Sequence, residues 1–333
     1  MSVSIKDIAR RAGVSHSTVS RALADSPLVN AETKARIQRL AREMGYTPNA
    51  IARAMSTGQT RTVGLVVTSI ADPFVAEVVR GIEETALDHG YGVLLCNSTG
   101  DPSRELAAVR AFREKWVDAV IVTASRVGSF YAQLTEIQVP VVLINNQQPG
   151  EYTFAVRNDD LYGGQLAGQY LVALGHHRIA YISGPAEATS SQLRLEGLQA
   201  ALRQAHISLH AGWIAPGGGT AEQGEQAAQQ LLDGTAPHPT AIFCYNDRTA
   251  MGVLRAVKAR GLSIPAQLSV LGYDDIAAAA YLDPPLTTVG QSKYTLGQKA
   301  MEMTLDLIDH KTVQDVLLKP SLVVRASCAL PPG

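Results

Sequence analysis

Cysteine is scarce in this sequence. Its three thiols, Cys96, Cys244 and Cys328, lie far apart along the 333 residues. No CxxC pair and no Cys/His spacing typical of a metal site is present, so we expect neither a metal nor another cofactor. Cys96 and Cys244 lie within apolar runs, where a thiol is usually buried and unreactive.

Long apolar stretches are also missing. No run of about 18 apolar residues, the length that a transmembrane helix needs, occurs anywhere in the chain. The N-terminal stretch SVSIKDIARR lacks the apolar core of a secretory signal. We therefore expect no membrane span and a cytoplasmic location.

Motifs for catalysis are equally hard to find. No GxSxG elbow is present, and the glycines at 217–219 are not followed by the GK[ST] of a phosphate-binding loop. Asp274 and Asp275 are adjacent, and neighbouring side chains on one backbone usually point apart, so they do not suggest an acid/base pair. We do not predict an enzyme.

Charge is unevenly distributed, although the net charge is only −1. Residues 1–60 hold nine Lys or Arg against four Asp or Glu, which gives this segment +5 and leaves −6 for the rest. A basic head on an acidic body indicates that the head binds a polyanion. A solvated helical surface without a partner would show the same charge.

The first 45 residues read as three short amphipathic helices. Ser4, with Asp7 three positions later, can cap the first helix, and Gly13 permits a tight turn. Ser15 can cap the second helix, and a third runs from Glu32 to Met44. This order is typical of a helix-turn-helix, whose second helix enters the DNA major groove. A plain three-helix bundle fits the same pattern.

Polar side chains at the start of the second helix are the candidate DNA contacts. His16, Ser17 and Arg21 can each bond base edges, and Arg suits guanine O6 and N7. Ser15 and Thr18, close to the helix N-terminus, are better placed for phosphate.

A long ordered motif runs through these helices and past them. It comprises Ile8-Ala9, Ala12-Gly13-Val14-Ser15, Thr18-Val19-Ser20-Arg21, Gly45-Tyr46, Pro48-Asn49 and Ala52-Arg53-Ala54. In these residues the chain closely resembles the lactose-repressor/galactose-repressor (LacI/GalR) family, and the resemblance continues through the remaining sequence. It implies a ligand-responsive regulator, expected to be a repressor, that binds a pseudo-palindromic operator as a homodimer.

The resemblance also implies a hinge at residues 48–61. In the family this segment becomes a short helix on DNA, and an apolar residue, usually Leu, wedges between base pairs in the minor groove. Met55 occupies the matching position here, which is a departure from Leu. Asn49, Ala52 and Met55 are therefore expected to contact DNA.

From Thr62 onward, short apolar runs alternate with helical segments. Val63–Val67 and Gly92–Cys96 are examples in a first half, and Ile179–Ile182 and Ala241–Cys244 in a second. Alternation of this kind predicts parallel, doubly wound sheets in two α/β subdomains. The resemblance implies a periplasmic-binding-protein-like core in which the chain crosses between them.

The predicted division of the chain follows from both arguments. It has four parts: a helix-turn-helix head (1–47), a hinge helix and linker (48–61), a core N-subdomain (62–158 plus 291–319) and a core C-subdomain (159–290 plus 320–333).

Ligands of open α/β sheets bind beyond the carboxyl ends of the strands, which here means the cleft between the subdomains. The resemblance implies that Arg194, Asn246 and Asp274 hold sugar hydroxyls, as their counterparts do in sugar-responsive relatives. Their guanidinium, amide and carboxylate groups suit that role, although each alone could be a strand-end cap or a surface ion pair. The full candidate effector site is Phe74, Arg126, Asn145, Arg194, Asn246, Asp274 and Lys293.

The nature of the effector stays open at this point. Arg126 and Lys293 match pocket positions of relatives, and if both face the cleft, a sugar acid or sugar phosphate becomes the alternative to a neutral sugar. A corepressor protein is a further alternative.

Two other classes share features with this sequence. A sugar-binding transport protein has the same core, and an α/β enzyme with an added head would show the same alternation. The missing signal and the DNA-binding head argue against the transport protein. The tail VVRASCALPPG has no leucine heptad, so we do not expect a coiled-coil tetramer.

Overall fold

The computed structural model describes residues 3–46, 54, 58–124, 139–145, 153–234 and 238–332. The chain divides into two compact units, residues 1–60 and 61–333. Most of the predicted hinge helix lies outside the described residues.

The first unit contains three helices, α1 (Ile5–Ala12), α2 (His16–Leu23) and α3 (Ala31–Glu43). The predicted cap of α1 is present: Ser4 accepts from the backbone N–H of Asp7, and the Asp7 carboxylate accepts from the N–H of Ser4 at 3.1 Å. A left-handed residue is required after α1, and Gly13 supplies it with a φ of 66°.

A small apolar core holds these helices together. Helix α3 starts before the predicted Glu32, because Asn30 caps it by accepting from the N–H of Thr33 at 2.8 Å. The buried apolar residues of the head are Ile8, Ala9, Ala12, Val19, Ala22, Val29, Ile37 and Ala41.

The second unit alternates strands and helices, as predicted. The first half consists of β1 (Thr62–Val67), α4 (Pro73–Asp88), β2 (Gly92–Asn97), α5 (Pro102–Glu114), β3 (Ala119–Thr123), β4 (Val141–Ile144) and β5 (Thr153–Asn158). The second half consists of α6 (Asp160–Ala173), β6 (Ile179–Ser183), α7 (Thr189–Gln204), β7 (Ile214–Pro216), α8 (Ala221–Asp233), β8 (Ala241–Cys244), α9 (Asp247–Ala259), β9 (Ser269–Asp274) and β10 (Thr287–Gly290). The chain ends with α10 (Lys293–Ile308), β11 (Val316–Leu318) and β12 (Ser321–Val323).

These strands form two six-stranded sheets. The first has the order β11-β5-β4-β3-β1-β2 and is parallel throughout. The second has the order β12-β10-β9-β8-β6-β7 and is parallel except for β12, which runs antiparallel to β10. The predicted pair of doubly wound parallel sheets is thus confirmed, with one antiparallel edge strand.

The chain passes between the two sheets three times. It leaves the first sheet after Asn158, returns after Gly290 and leaves again after Leu318. Because β11 ends at the carboxyl edge of its sheet and β12 begins three residues later, β12 enters the second sheet from its carboxyl edge. That entry explains why β12 runs against its neighbour.

Both sheets are covered by helices, so the central strands are buried on both faces. Strands β3, β4, β8 and β9 are buried along their whole length. Six of the described covering helices meet in three close pairs with glycine at each crossing, where a Cβ would overlap a backbone carbonyl oxygen of the partner helix. The glycines are Gly81 and Gly297 between α4 and α10, Gly164 and Gly197 between α6 and α7, and Gly224 and Gly252 between α8 and α9.

We expect Gly197→Ala to lower the free energy of unfolding by about 1–3 kcal/mol, a typical cost of overpacking. The added Cβ would overlap the carbonyl oxygen of Leu161, which belongs to rigid helix backbone. Gly92→Ala is the control, because a Cβ at Gly92 meets nothing within 4 Å. Urea denaturation measures both, and equal stabilities of the two variants would contradict the close crossing of α6 and α7.

Candidate functional site

The exposed face of α2 is the candidate nucleic-acid surface in the first unit. Val19 and Ala22 are fully buried on the opposite face, whereas His16, Ser17 and Arg21 are exposed. The helix therefore presents to solvent the three side chains that the sequence suggests as readers of base edges.

The N-terminus of α2 is capped as predicted. Ser15 Oγ accepts from the N–H of Thr18 at 3.1 Å and shares hydrogen bonds of 2.8 Å with the hydroxyls of Ser17 and Thr18. These bonds fix the start of the helix. The predicted contacts Asn49, Ala52 and Met55 lie outside the described residues.

A cleft of about 380 Å³ lies in the second unit, where the carboxyl ends of the two sheets face each other. Residues that follow β1 to β4 form one wall, and residues that follow β6 to β9 form the other. Of the candidate effector residues, Arg126 lies outside the described residues and Lys293 is not part of the wall. The other five candidates line the cleft: Phe74, Asn145, Arg194, Asn246 and Asp274.

Arg194 lies at the base of the cleft, only 4% exposed. Its Nε donates to Asp160 Oδ1 at 2.8 Å and its Nη1 to the carbonyl of Tyr245 at 2.6 Å. The guanidinium stacks on two rings, 3.6 Å from the centre of Tyr273 and 4.7 Å from that of Tyr245. Burial is the largest influence and opposes its charge, but Asp160, Tyr273, Tyr245 and Asp274 together outweigh burial, so the pKa of Arg194 is held well above its ordinary value.

Asp274 ends β9 with its carboxyl group in the cleft and is 7% exposed. Its Oδ1 accepts from Gln291 Nε2 at 2.6 Å. Burial raises the pKa of the Asp274 carboxyl well above its usual range, and the positive charge of Arg194 opposes this rise. A partly desolvated carboxylate with a free acceptor edge favours ligands that donate hydrogen bonds.

The backbone at this position adopts an unusual conformation, because φ is 110° at Asp274 and 54° at Asp275. Such angles are costly for residues with a side chain and persist only where neighbours hold them. Lys293 Nζ donates to the carbonyl oxygens of Asp274 and Asp275 at 2.6 and 2.7 Å. Lys293, which was expected to be a cation of the pocket, thus binds the backbone carbonyls of Asp274 and Asp275 instead.

The two asparagines line the cleft while also supporting the backbone. Asn246 Oδ1 accepts from the N–H and the hydroxyl of Thr249, both at 2.8 Å, and so caps α9. Asn145 Oδ1 accepts from the backbone and side-chain nitrogens of Asn158 at 3.0 and 3.2 Å. Asn246 is therefore both a cap after its strand, which was the alternative considered for it, and a residue of the cleft wall.

Several cleft residues were missed by the sequence analysis. The buried atoms Thr123 Oγ1 and Gln291 Oε1 have no hydrogen-bond partner among the residues that the structure describes. The Tyr245 ring forms part of the wall, and its hydroxyl lies 3.1 Å from Ser190 Oγ. Thr123 and Tyr245 lie at strand ends, so the rule that found Asn246 could have found them.

In the part of the chain that the structure describes, no three His, Cys, Asp or Glu side chains come together as metal ligands would. Buried His176 instead bonds Thr240 Oγ1 and the carbonyl of Ala329, both at 2.9 Å, and so ties the C-terminal segment to the second sheet. Among the described helices, none has the length and apolarity needed to cross a bilayer.

We expect Asp160→Asn to lower the free energy of unfolding by about 3–5 kcal/mol, because it leaves the buried charge of Arg194 without its partner. Asp159→Asn is the matched control, since Asp159 caps α6 through the N–H of Tyr162 and asparagine caps equally well. Denaturant unfolding of both variants measures the difference. A loss below about 1 kcal/mol for Asp160→Asn would contradict the buried ion pair.

Two family profiles match the chain in succession. "Bacterial regulatory proteins, lacI family" matches residues 4–49, and "Periplasmic binding proteins and sugar binding domain of LacI family" matches residues 60–326.

Individual proteins match along nearly the whole length. The HTH-type transcriptional repressor CytR of Escherichia coli (strain K12) is 38% identical, with 98% of this chain and 97% of the relative covered. The HTH-type transcriptional repressor PurR of Proteus mirabilis (strain HI4320) is 36% identical, with 98% and 96% covered. The crystal structure of the lac repressor dimer bound to operator and the anti-inducer ONPF is 29% identical, with a TM-score of 0.88 and 99% and 100% covered.

Proposed function

The chain belongs to the LacI family of bacterial regulatory proteins, and from this premise we propose that it is a transcriptional repressor controlled by a small effector. The observation that carries the proposal is that both parts of the chain match the family, residues 4–49 and residues 60–326. The first part has an exposed polar helix face for DNA, and the second has a cleft for an effector. The relatives CytR and PurR are transcriptional repressors rather than enzymes. Operator DNA is accessible in the cytoplasm, where we expect the protein to act.

The head binds operator DNA through α2. Residues 1–60 carry +5, which supports attraction to the phosphate backbone. Exposed His16, Ser17 and Arg21 are proposed to bond base edges in the major groove, and Ser15 and Thr18 to contact phosphate. Asn49, Ala52 and Met55 are the proposed hinge contacts in the minor groove.

The protein acts as a homodimer on a pseudo-palindromic operator, because two heads are needed to read two half-sites. The lac repressor relative is a dimer on its operator. Strand β2 is the edge of the first sheet and carries Leu94 and Leu95, 40% and 41% exposed. An apolar sheet edge of this kind favours pairing, and we propose a second copy of the chain as its occupant.

The effector is proposed to be a neutral, sugar-like molecule. Its hydroxyls would bond the Asp274 carboxylate and the unpartnered Thr123 Oγ1 and Gln291 Oε1, since buried polar atoms are nearly always paired. The faces of Phe74 and Tyr245 supply apolar contact. Asn145, Asn246 and the remaining N–H groups of Arg194 complete the proposed set.

A sugar acid or sugar phosphate is less well supported by the described residues. Lys293 is engaged with backbone carbonyls, and the guanidinium of Arg194 is already compensated by Asp160. Effector binding changes the operator affinity only by its differential affinity for two states of the protein. We propose that these states differ in the closure of the cleft.

We expect the triple change of His16, Ser17 and Arg21 to alanine to remove sequence discrimination. Each good base contact contributes about 1–3 kcal/mol, so operator affinity should approach that for random DNA. Competition between a palindromic operator selected from random DNA and scrambled duplex at two salt concentrations measures this.

Arg39→Ala is the control for the triple variant, because Arg39 is an exposed base on α3. It should keep discrimination between operator and scrambled duplex. Retained operator preference in the triple variant would show that α2 does not read bases.

We expect Asp274→Asn to weaken effector binding roughly 10- to 150-fold. This range corresponds to the free energy of about 1.5–3 kcal/mol that a hydrogen bond to a charged group contributes. Operator affinity without effector should be unchanged. Thermal-shift screening of sugars, polyols, sugar acids and sugar phosphates identifies the compound, and calorimetry compares the proteins.

Asp275→Asn is the control for the cleft, because the Asp275 carboxylate bonds Arg325 Nη2 at 2.7 Å and is not part of the cleft wall. It should bind the effector as the wild type does. Equal binding by wild type and Asp274→Asn would remove Asp274 from the site.

A further inference from the structure

An ion pair spans the cleft between the two subdomains. Asp72 lies between β1 and α4 of the first subdomain, and Arg248 lies in the first turn of α9 of the second. Arg248 Nη1 is 3.2 Å from Asp72 Oδ2, and both residues line the cleft. Thirteen further ion pairs between described residues lie within one subdomain or within the head.

Both charged groups extend from helix starts that are fixed without the pair. Asp72 Oδ1 accepts from the N–H of Phe74 at 2.9 Å and caps α4, which leaves Oδ2 for the guanidinium. Arg248 follows the Asn246 cap of α9. Two prepositioned partners lose less conformational entropy on pairing than two free surface chains do.

The pair lies away from the edge where the chain crosses between the sheets. In the first sheet β1 is three strands from the crossover strand β5, and in the second β8 is two strands from β10. At about 4.8 Å per strand, these offsets are roughly 14 and 10 Å. A contact at that distance from the crossovers is sensitive to the angle between the subdomains.

The free energy of this ion pair is small enough for the pair to break and re-form as the subdomains move. Side chains 32% and 21% exposed form a weak pair, which changes an equilibrium about two- to fivefold. Two closure states separated by a small free energy change population measurably when a term of this size is removed.

We propose that Asp72 and Arg248 form a latch: their ion pair sets the fraction of molecules in which the effector cleft is closed in the absence of effector. Its consequence for regulation rests on the proposed function, since closure affects repression only if the cleft holds an effector. The latch itself is a property of the protein alone and is tested without effector or operator.

The test is hydrogen–deuterium exchange of the full chain. Two reporter segments contain cleft residues, 98–101 in one subdomain with Thr99 and Gly100, and 185–190 in the other with Glu187 to Ser190. Neither segment contains Asp72 or Arg248. Asp72→Asn keeps the cap of α4 but removes the charge, and Arg248→Gln removes the opposite charge. Each should accelerate exchange in both reporters about two- to fivefold.

Three comparisons decide the outcome. The double variant should exchange no faster than either single variant, Arg248→Lys should behave like the wild type, and about 1 M salt should make the wild type resemble the variants. Strand β6 (Ile179–Ser183) is the internal reference and should not change. Unchanged exchange rates of the reporters in both single variants, or multiplied effects in the double variant, would overturn the latch. The results of the operator-binding and effector-binding tests do not depend on this outcome.

Discussion

Three crossings of the chain at one edge of two parallel sheets are the constraint on which the rest of this structure depends. They hold the carboxyl ends of both sheets against each other, so strand-end side chains of separate subdomains share one cleft. They also leave the opposite side of the cleft without a covalent tie. Relative motion of the subdomains is therefore the movement that the fold permits most readily.

The polar groups of the cleft divide into those that support the site and those that remain open to a ligand. Asp160 compensates Arg194, Lys293 holds the backbone of Asp274 in its costly conformation, and Thr249 fixes Asn246. This support uses most of the positive charge near the cleft. A binder of neutral hydroxyl groups follows from that division more naturally than a binder of anions.

Much of the fold was predictable because local signals agree with it. The caps Ser4 and Ser15, the turn glycine Gly13 and the repeated apolar runs each act over a few residues and all indicate the observed elements. Strands β5, β7, β10, β11 and β12 and helix α8 were not predicted. Strands β7, β11 and β12 are sheet edges of three residues each, which is too short for an alternation of their own. The antiparallel direction of β12 follows from a crossing between sheets, which no local pattern records.

The lining of the candidate cleft was predictable where it depends on strand ends and not where it depends on pairing. Phe74, Asn145, Arg194, Asn246 and Asp274 were found through the strand-end rule and the family resemblance. Asp160 and Arg248 were missed, because their partners are distant in sequence. The central claim, that cleft and operator are coupled, is tested most directly by measuring effector affinity with and without operator DNA, using the compound that a screen identifies. By linkage, operator must change effector affinity by the same factor by which effector changes operator affinity. We predict that the two factors are equal and different from one. An effector affinity that is the same with and without operator would contradict the account.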